Sequence, residues 1–373
     1  MGHRLKATSL LIAMTLAACS PYPSPTPTAT AIPTATPTQV PTKAPSTPIA
    51  SIEPLPNLAG LVYISDETVW QISQDGKPLR LLDYFRGSDA EISYDTKRLL
   101  FVEENRLWVA DLITGERHAI TDGSREPCCA HWGTGRSDWA FYGQGAAEHK
   151  VPMPSAVTMT VAYLDRDSLQ VRDEKRFPAV EPYASLSPDG LAFAYDDGKT
   201  GWIHRWGQGA RPFDVTHYGL SLPDNARVIS PAWSPNGNRI AWVISGFMSG
   251  KRQTGLALFD LNNKTAHWLI QYLSVNWGEF DVRWSPNGKW LAFLPGDVAF
   301  AEDGGLWIFS TEGTEKYQEH RARSIRGGWS WDSQHIIWGY KDFTGYLKAS
   351  YWRTEGLMPV IERGWLVGWT MPR

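Results

Sequence analysis

The most reactive side chains in the sequence are thiols at two places with different surroundings. Cys19 closes Leu16-Ala17-Ala18-Cys19, at the end of an apolar run, Ala7–Ala18, that follows the basic residues His3, Arg4 and Lys6. A dozen apolar residues fall short of the roughly 20 that a stable membrane-spanning helix needs, but they suit a secretory signal. Small residues precede this thiol, and Ser20 follows it. Cys128 and Cys129 are adjacent, in Glu126-Pro127-Cys128-Cys129-Ala130-His131. Neighbouring Cα atoms lie about 3.8 Å apart, below the ordinary disulfide span of roughly 4.4–6.8 Å. A bond between these two would close a strained and comparatively reducible ring. Two thiols are the alternative, and a metal held together with His131 is a third.

Familiar enzyme signatures are missing. No Gly-x-Ser-x-Gly nucleophile elbow occurs, there is no His-Glu-x-x-His pair, and the nine histidines are scattered. Lys and Arg number 36 against 39 Asp and Glu, a net charge of −3, so no basic face invites nucleic acid. The expectation is a protein without catalytic residues, resident metal or cofactor.

Leu16–Cys19 resembles the lipobox of bacterial lipoproteins. That resemblance implies a diacylglycerol on the Cys19 sulfur, cleavage just before it, and acylation, by palmitate for instance, of the new N-terminus. Several acyl chains anchor durably where one is marginal. Residues 1–18 are then a signal peptide, and the protein is extracytoplasmic, lipid-anchored to the cell membrane or outer membrane. Residues 19–56 are a lipidated, disordered linker: Ser20–Pro56 holds 11 of the 26 prolines, 8 threonines and no glycine. Such a stretch favours polyproline II over helix or sheet and would reach roughly 110 Å if extended at about 3.1 Å per residue.

Residues 57–373 must position any site, and they repeat. Trp233-Ser234-Pro235-Asn236-Gly237 and Trp284-Ser285-Pro286-Asn287-Gly288 are followed by Arg239-Ile240-Ala241-Trp242 and Trp290-Leu291-Ala292-Phe293. Leu186-Ser187-Pro188-Asp189-Gly190 is a third copy; weaker ones start at Ile92, Trp132 and Trp329. The residue after each aromatic or aliphatic anchor stands at 93, 133, 187, 234, 285 and 330, at intervals of 40 to 54, which is propeller-blade length. Each unit reads as four short strands with a tight Pro-Asn-Gly or Pro-Asp-Gly turn. The 19 tryptophans, all after residue 69, read chiefly as packing between blades.

The Trp-Ser-Pro-Asn/Asp-Gly-x-x-Ile/Leu-Ala-Phe/Trp unit resembles the WD-like repeats of TolB-type β-propellers, over essentially all of Leu58–Arg373. That implies an all-β fold. Six internal anchors plus a blade shared by the two ends of this region give a seven-bladed β-propeller, or six or eight blades if the divergent Trp132–Phe177 unit is divided differently. In the shared blade, Gly364–Thr370 supplies the first strand and Gly60–Ile64 the second, closing the ring.

Long, irregular segments are expected to share one face: Tyr84–Asp89, Cys128–His131, Gly143–Ser155, His217–Ser230, Ser245–Thr254, Gln271–Phe280 and Pro295–Gly304. Variable loops on a rigid scaffold are where recognition usually sits. The candidate ligand-binding residues are Tyr84, Phe85, Asp89, His131, Tyr218, Phe247, Trp277, Phe280, Asp281 and Arg326. Aromatics beside charges suit a protein, peptide or envelope glycan. The expected function is therefore a cell-envelope lipoprotein whose propeller is a non-catalytic binding or scaffolding module. The alternative is a propeller-type enzyme of the quinoprotein, lactonase or glycosidase class.

Overall fold

The Ser-Pro-Asn-Gly turns show why the repeat folds as it does. In a computed structural model of the protein, Ser93, Ser187, Ser234, Ser285 and Ser330 are all buried. Each donates its hydroxyl to the Asp or Asn two residues on: Asp95, Asp189, Asn236, Asn287 and Asp332, at 2.5–2.8 Å. Each also accepts the backbone N–H five residues on, at 2.8–3.0 Å. One hydroxyl thus closes the turn and starts the next strand. The residue after the Asp or Asn is left-handed, as Gly190, Gly237 and Gly288 allow without strain. Thr96 and Ser333 hold the same conformation in weaker copies.

The structure describes residues 58–93, 95–124, 127–133, 138–144, 157–165, 167–180, 184–273, 280–295, 304–320, 324–340, 343–348, 353–359 and 364–371. These form seven four-stranded antiparallel sheets. The first pairs Gly364–Trp369, Leu61–Ser65, Thr68–Ile72 and Pro78–Leu82, in that order. The other six are consecutive in the chain, with inner strands Ser88–Ile92, Pro127–Trp132, Ser185–Leu186, Asp224–Trp233, Asp281–Trp284 and Ser324–Trp329. A 3₁₀ turn, Val215–Tyr218, follows the fourth sheet. Among the described residues no helix is long and apolar enough to cross a membrane.

Apolar burial lies between sheets. Seven clusters form, one between each pair of neighbours, the last joining Ile337 of the seventh sheet to Leu61, Tyr63, Trp70 and Trp369 of the first. Wedges of Phe, Trp and Leu between radial sheets, with the ring closed by one sheet drawn from both ends of the folded region, make an all-β propeller. The anchor tryptophans add a polar link. The indoles of Trp132, Trp284 and Trp329 donate to the carbonyls of Glu91, Ala232 and Arg283, each on the preceding inner strand, at 3.0–3.1 Å.

One expected loop is strand. Ser245–Thr254 belongs to a hairpin of Arg239–Met248 and Lys251–Asp260, paired as far as Met248 with Lys251. Its turn is only Ser249-Gly250, both at positive φ (52° and 76°), as a tight hairpin turn requires. The second half of His217–Ser230 likewise is the start of the ten-residue strand Asp224–Trp233.

Candidate functional site

The inner strands run side by side around the axis, so the residue two before each turn serine or its equivalent recurs once per sheet at one level. In chain order from the second sheet these are Glu91, His131, Ser185, Ala232, Arg283, Gly328 and Gly368. Three carry or can carry charge. Bulges set the register of Glu91 and His131: the ladders joining the inner strands of the second and third sheets to their neighbours shift between Ser88 and Glu91 and between Cys128 and His131. A bulge re-aims the side chains that follow it.

Glu91 is the hub. Its carboxylate accepts the Trp132 amide at 3.0 Å and faces His131 Nδ1 at 3.1 Å. The His131 and Glu91 side chains are 54% and 38% exposed, so the pair opens to solvent. Partial desolvation works against a charged His131, but Glu91 outweighs it, and the pKa is raised above 6.5. Arg283 donates through Nε to both oxygens of Asp281, at 2.9 and 3.2 Å, which leaves its outer nitrogens free of that carboxylate. Asp281 raises the Arg283 pKa against the cost of burial, and Glu91 adds to the effect. His131 in turn feels both Arg283 and Asp281. Arg283 and Glu91 are separated around the ring by the seventh and first sheets, whose residues at this level are Gly328 and Gly368. A Cβ on Gly328 would lie 3.9 Å from Arg283 Nη1. The guanidinium therefore passes over a position with no side chain, toward the charges opposite.

The structure brings His131 and Asp281 together, and adds Glu91 and Arg283, which sequence reasoning did not single out. Their signal was positional: Arg283 stands directly before Trp284-Ser285-Pro286, and Glu91 two residues before Ser93. Phe280 is half-buried and stacked on Phe293, 6.3 Å between centroids, at the edge of the same group. Asp89 is exposed on the same inner strand as Glu91, at φ 50°.

Other candidates lie elsewhere. Phe85 is 2% exposed and packs on Phe101, so it is core rather than a presented aromatic. Tyr84, beside it, is 37% exposed; the next residues meet the second sheet's hairpin where the Arg86 amide donates to Glu103. Phe247, 46% exposed, stands near the tip of the long fifth-sheet hairpin. Tyr218 does not join the axial group: it packs on Phe213 and Phe259 and lines a cleft with Gly209 and Lys264 at the outer edge. Cys128 and Cys129 occupy the inner strand Pro127–Trp132, Cys128 opposite Gly143, and Arg326 occupies Ser324–Trp329; their side chains, and all of Trp277 and Cys19, lie outside the described residues.

No family model matches the chain, and no curated protein matches it either. Solved structures do. An oligogalacturonate lyase in complex with manganese is 11% identical, over 73% of this chain and 79% of that one, with a TM-score of 0.53. The oligogalacturonate lyase of Vibrio parahaemolyticus is 10% identical over 73% of this chain and 80% of its own, at 0.52. TolB from Acinetobacter baumannii is 19% identical over 69% of this chain and 62% of its own, at 0.43. At such identities the likeness is one of fold, and the fold is the β-propeller.

Proposed function

We propose that the protein is a non-catalytic binding module of the cell envelope, held to a membrane by lipid on Cys19, with a protein, peptide or envelope glycan as its ligand. In this reading the seven sheets are seven blades of one ring, and the ligand docks over the axial opening. The observation that carries it is the half-exposed group of Glu91, His131, Asp281 and Arg283. The scaffold does not need these charges: Ala232, Gly328 and Gly368 fill the same level in other sheets. Charges of both signs on a rigid frame suit a ligand that itself offers donors and acceptors. Among the described residues no three His, Cys, Asp or Glu side chains gather as a metal would require.

Growing the producing cells with a fatty-acid analogue tests the anchor. The wild-type chain should carry the label and Cys19→Ser should not, with the mutant left unprocessed or displaced from the membrane. Label retained by the mutant would contradict the reading.

A further inference from the structure

A second concave surface lies at the outer edge of the fourth sheet, away from the axis and independent of the axial reading. It is a cleft of about 460 Å³ between that edge and the fifth sheet. Phe213 and Tyr218, 5.1 Å between ring centroids, form its floor. Arg205 and Arg211, on Gly201–Arg205 and Gly209–Pro212, rise on one side, and Lys264, on the turn before Thr265–Leu273, on the other. All three cations are exposed, and among the described residues none has a carboxylate within ion-pairing distance. The one acid of the cleft, Asp214, is occupied locally. It accepts the Thr216 amide and hydroxyl at 3.0 and 2.6 Å and faces His217 at 3.6 Å. In a chain of net charge −3, this local excess of positive charge runs against the whole.

Lys264 holds a left-handed backbone conformation. In the turns that begin at Asp111, Asp165 and Asp260, the carboxylate takes the amides two and three residues on. The residue four on is left-handed in all three: Gly115 at φ 78°, Leu169 at 57° and Lys264 at 53°. Glycine is free of strain there. Leu169 is 4% exposed, so packing accounts for it. Lys264 is exposed and supports no core, and its side chain borders the cleft. Lysine there costs some backbone strain that glycine would not, as at the exposed turn residues Glu67, Glu104 and Asn105.

We propose that this cleft binds an acidic sugar, with Arg205, Arg211 and Lys264 on its phosphate or carboxylate and the Phe213–Tyr218 floor beneath the ring. Guanidinium forks match either anion, and aromatic faces offer the apolar contact a sugar ring takes. Calorimetry on the full chain with glucose 6-phosphate, a glucuronate trisaccharide and glucose tests this. At least one acidic probe should bind, more weakly as salt is raised, and glucose should not; which acidic probe binds identifies the anion. Arg211→Ser and Lys264→Gly should each weaken binding about tenfold or more, while Lys264→Gly leaves the melting temperature unchanged or raised. No binding of either acidic probe, binding that both variants keep, or a lowered melting temperature for Lys264→Gly would overturn the proposal.

Discussion

His131 and Glu91 join two sheets by charge. The folded chain raises the His131 pKa above its ordinary 6.5 because Glu91 outweighs partial desolvation, so folding favours the protonated ring. The stabilisation is then fully present below the ordinary value and disappears as pH rises through the raised one. His131→Asn should lower the melting temperature at pH 6 and leave it nearly unchanged at pH 9. Arg283, Asp281 and Glu91 are the charged groups acting on the ring. An equal loss at both pH values would mean that contact with Phe141, 5.5 Å between centroids, matters and the charge does not. Parts of this group were legible in the sequence: His131 stood beside a cysteine pair and Asp281 among aromatics. Glu91 and Arg283 were not singled out, because their one signal, a fixed place before the turn serine, has meaning only once the inner strands are known to converge. Their meaning comes from a level that only the convergence of the inner strands creates.

At the scale of the strand and its turn, the tryptophan before each serine joins a blade to the one before it. Trp284 donates its indole to Ala232 O at 3.0 Å, whereas the buried indole nitrogen of Trp233 has no hydrogen-bond partner. There the preceding inner strand is only Ser185–Leu186, and Ser185 Oγ takes the Trp233 backbone amide instead. Phenylalanine removes the same atoms at both positions, and Trp233, 4% exposed against half-buried Trp284, leaves the larger cavity, so an excess loss at Trp284 reports its hydrogen bond. Trp284→Phe should destabilise by about 1–2 kcal/mol more than Trp233→Phe, because it leaves a half-buried carbonyl unpaired. Chemical denaturation measures this, and equal losses would show that packing alone holds the blades. The turn motif was readable because one serine makes the same two bonds each time. The fifth-sheet hairpin was not, because Gly246-Phe247-Met248-Ser249-Gly250 lacks alternation and looks like loop, although Ser249-Gly250 is a sufficient two-residue turn.

The sheet-forming region closes on itself through its first and last strands, and the 40-to-54-residue spacing of the anchors was enough to expect a propeller. The joining of its ends was also legible, since Gly364–Thr370 looked like a first strand and Gly60–Ile64 like a second; the two strands do pair. The fastening itself was not, because it is made by residues far apart in the chain. Thr370 stands where other blades have serine and gives both its amide and its hydroxyl to Gly60 O. Fully buried Gln71 binds the Thr370 hydroxyl and Met371 O, and the Met371 amide reaches Thr96 in the second sheet. On a scaffold closed this way, loss of the axial charges gives up the Glu91–His131 attraction but leaves the apolar wedges and the fastening of the ends in place. Capture from native membranes, with the full lipidated chain as bait, compares wild type with the double variant Glu91→Gln, Arg283→Gln. The account predicts a stoichiometric protein, peptide or glycan ligand on the wild type, reduced at least tenfold on the double variant while its melting temperature stays within a few degrees. Equal capture by both chains, or no ligand on the wild type, would contradict it.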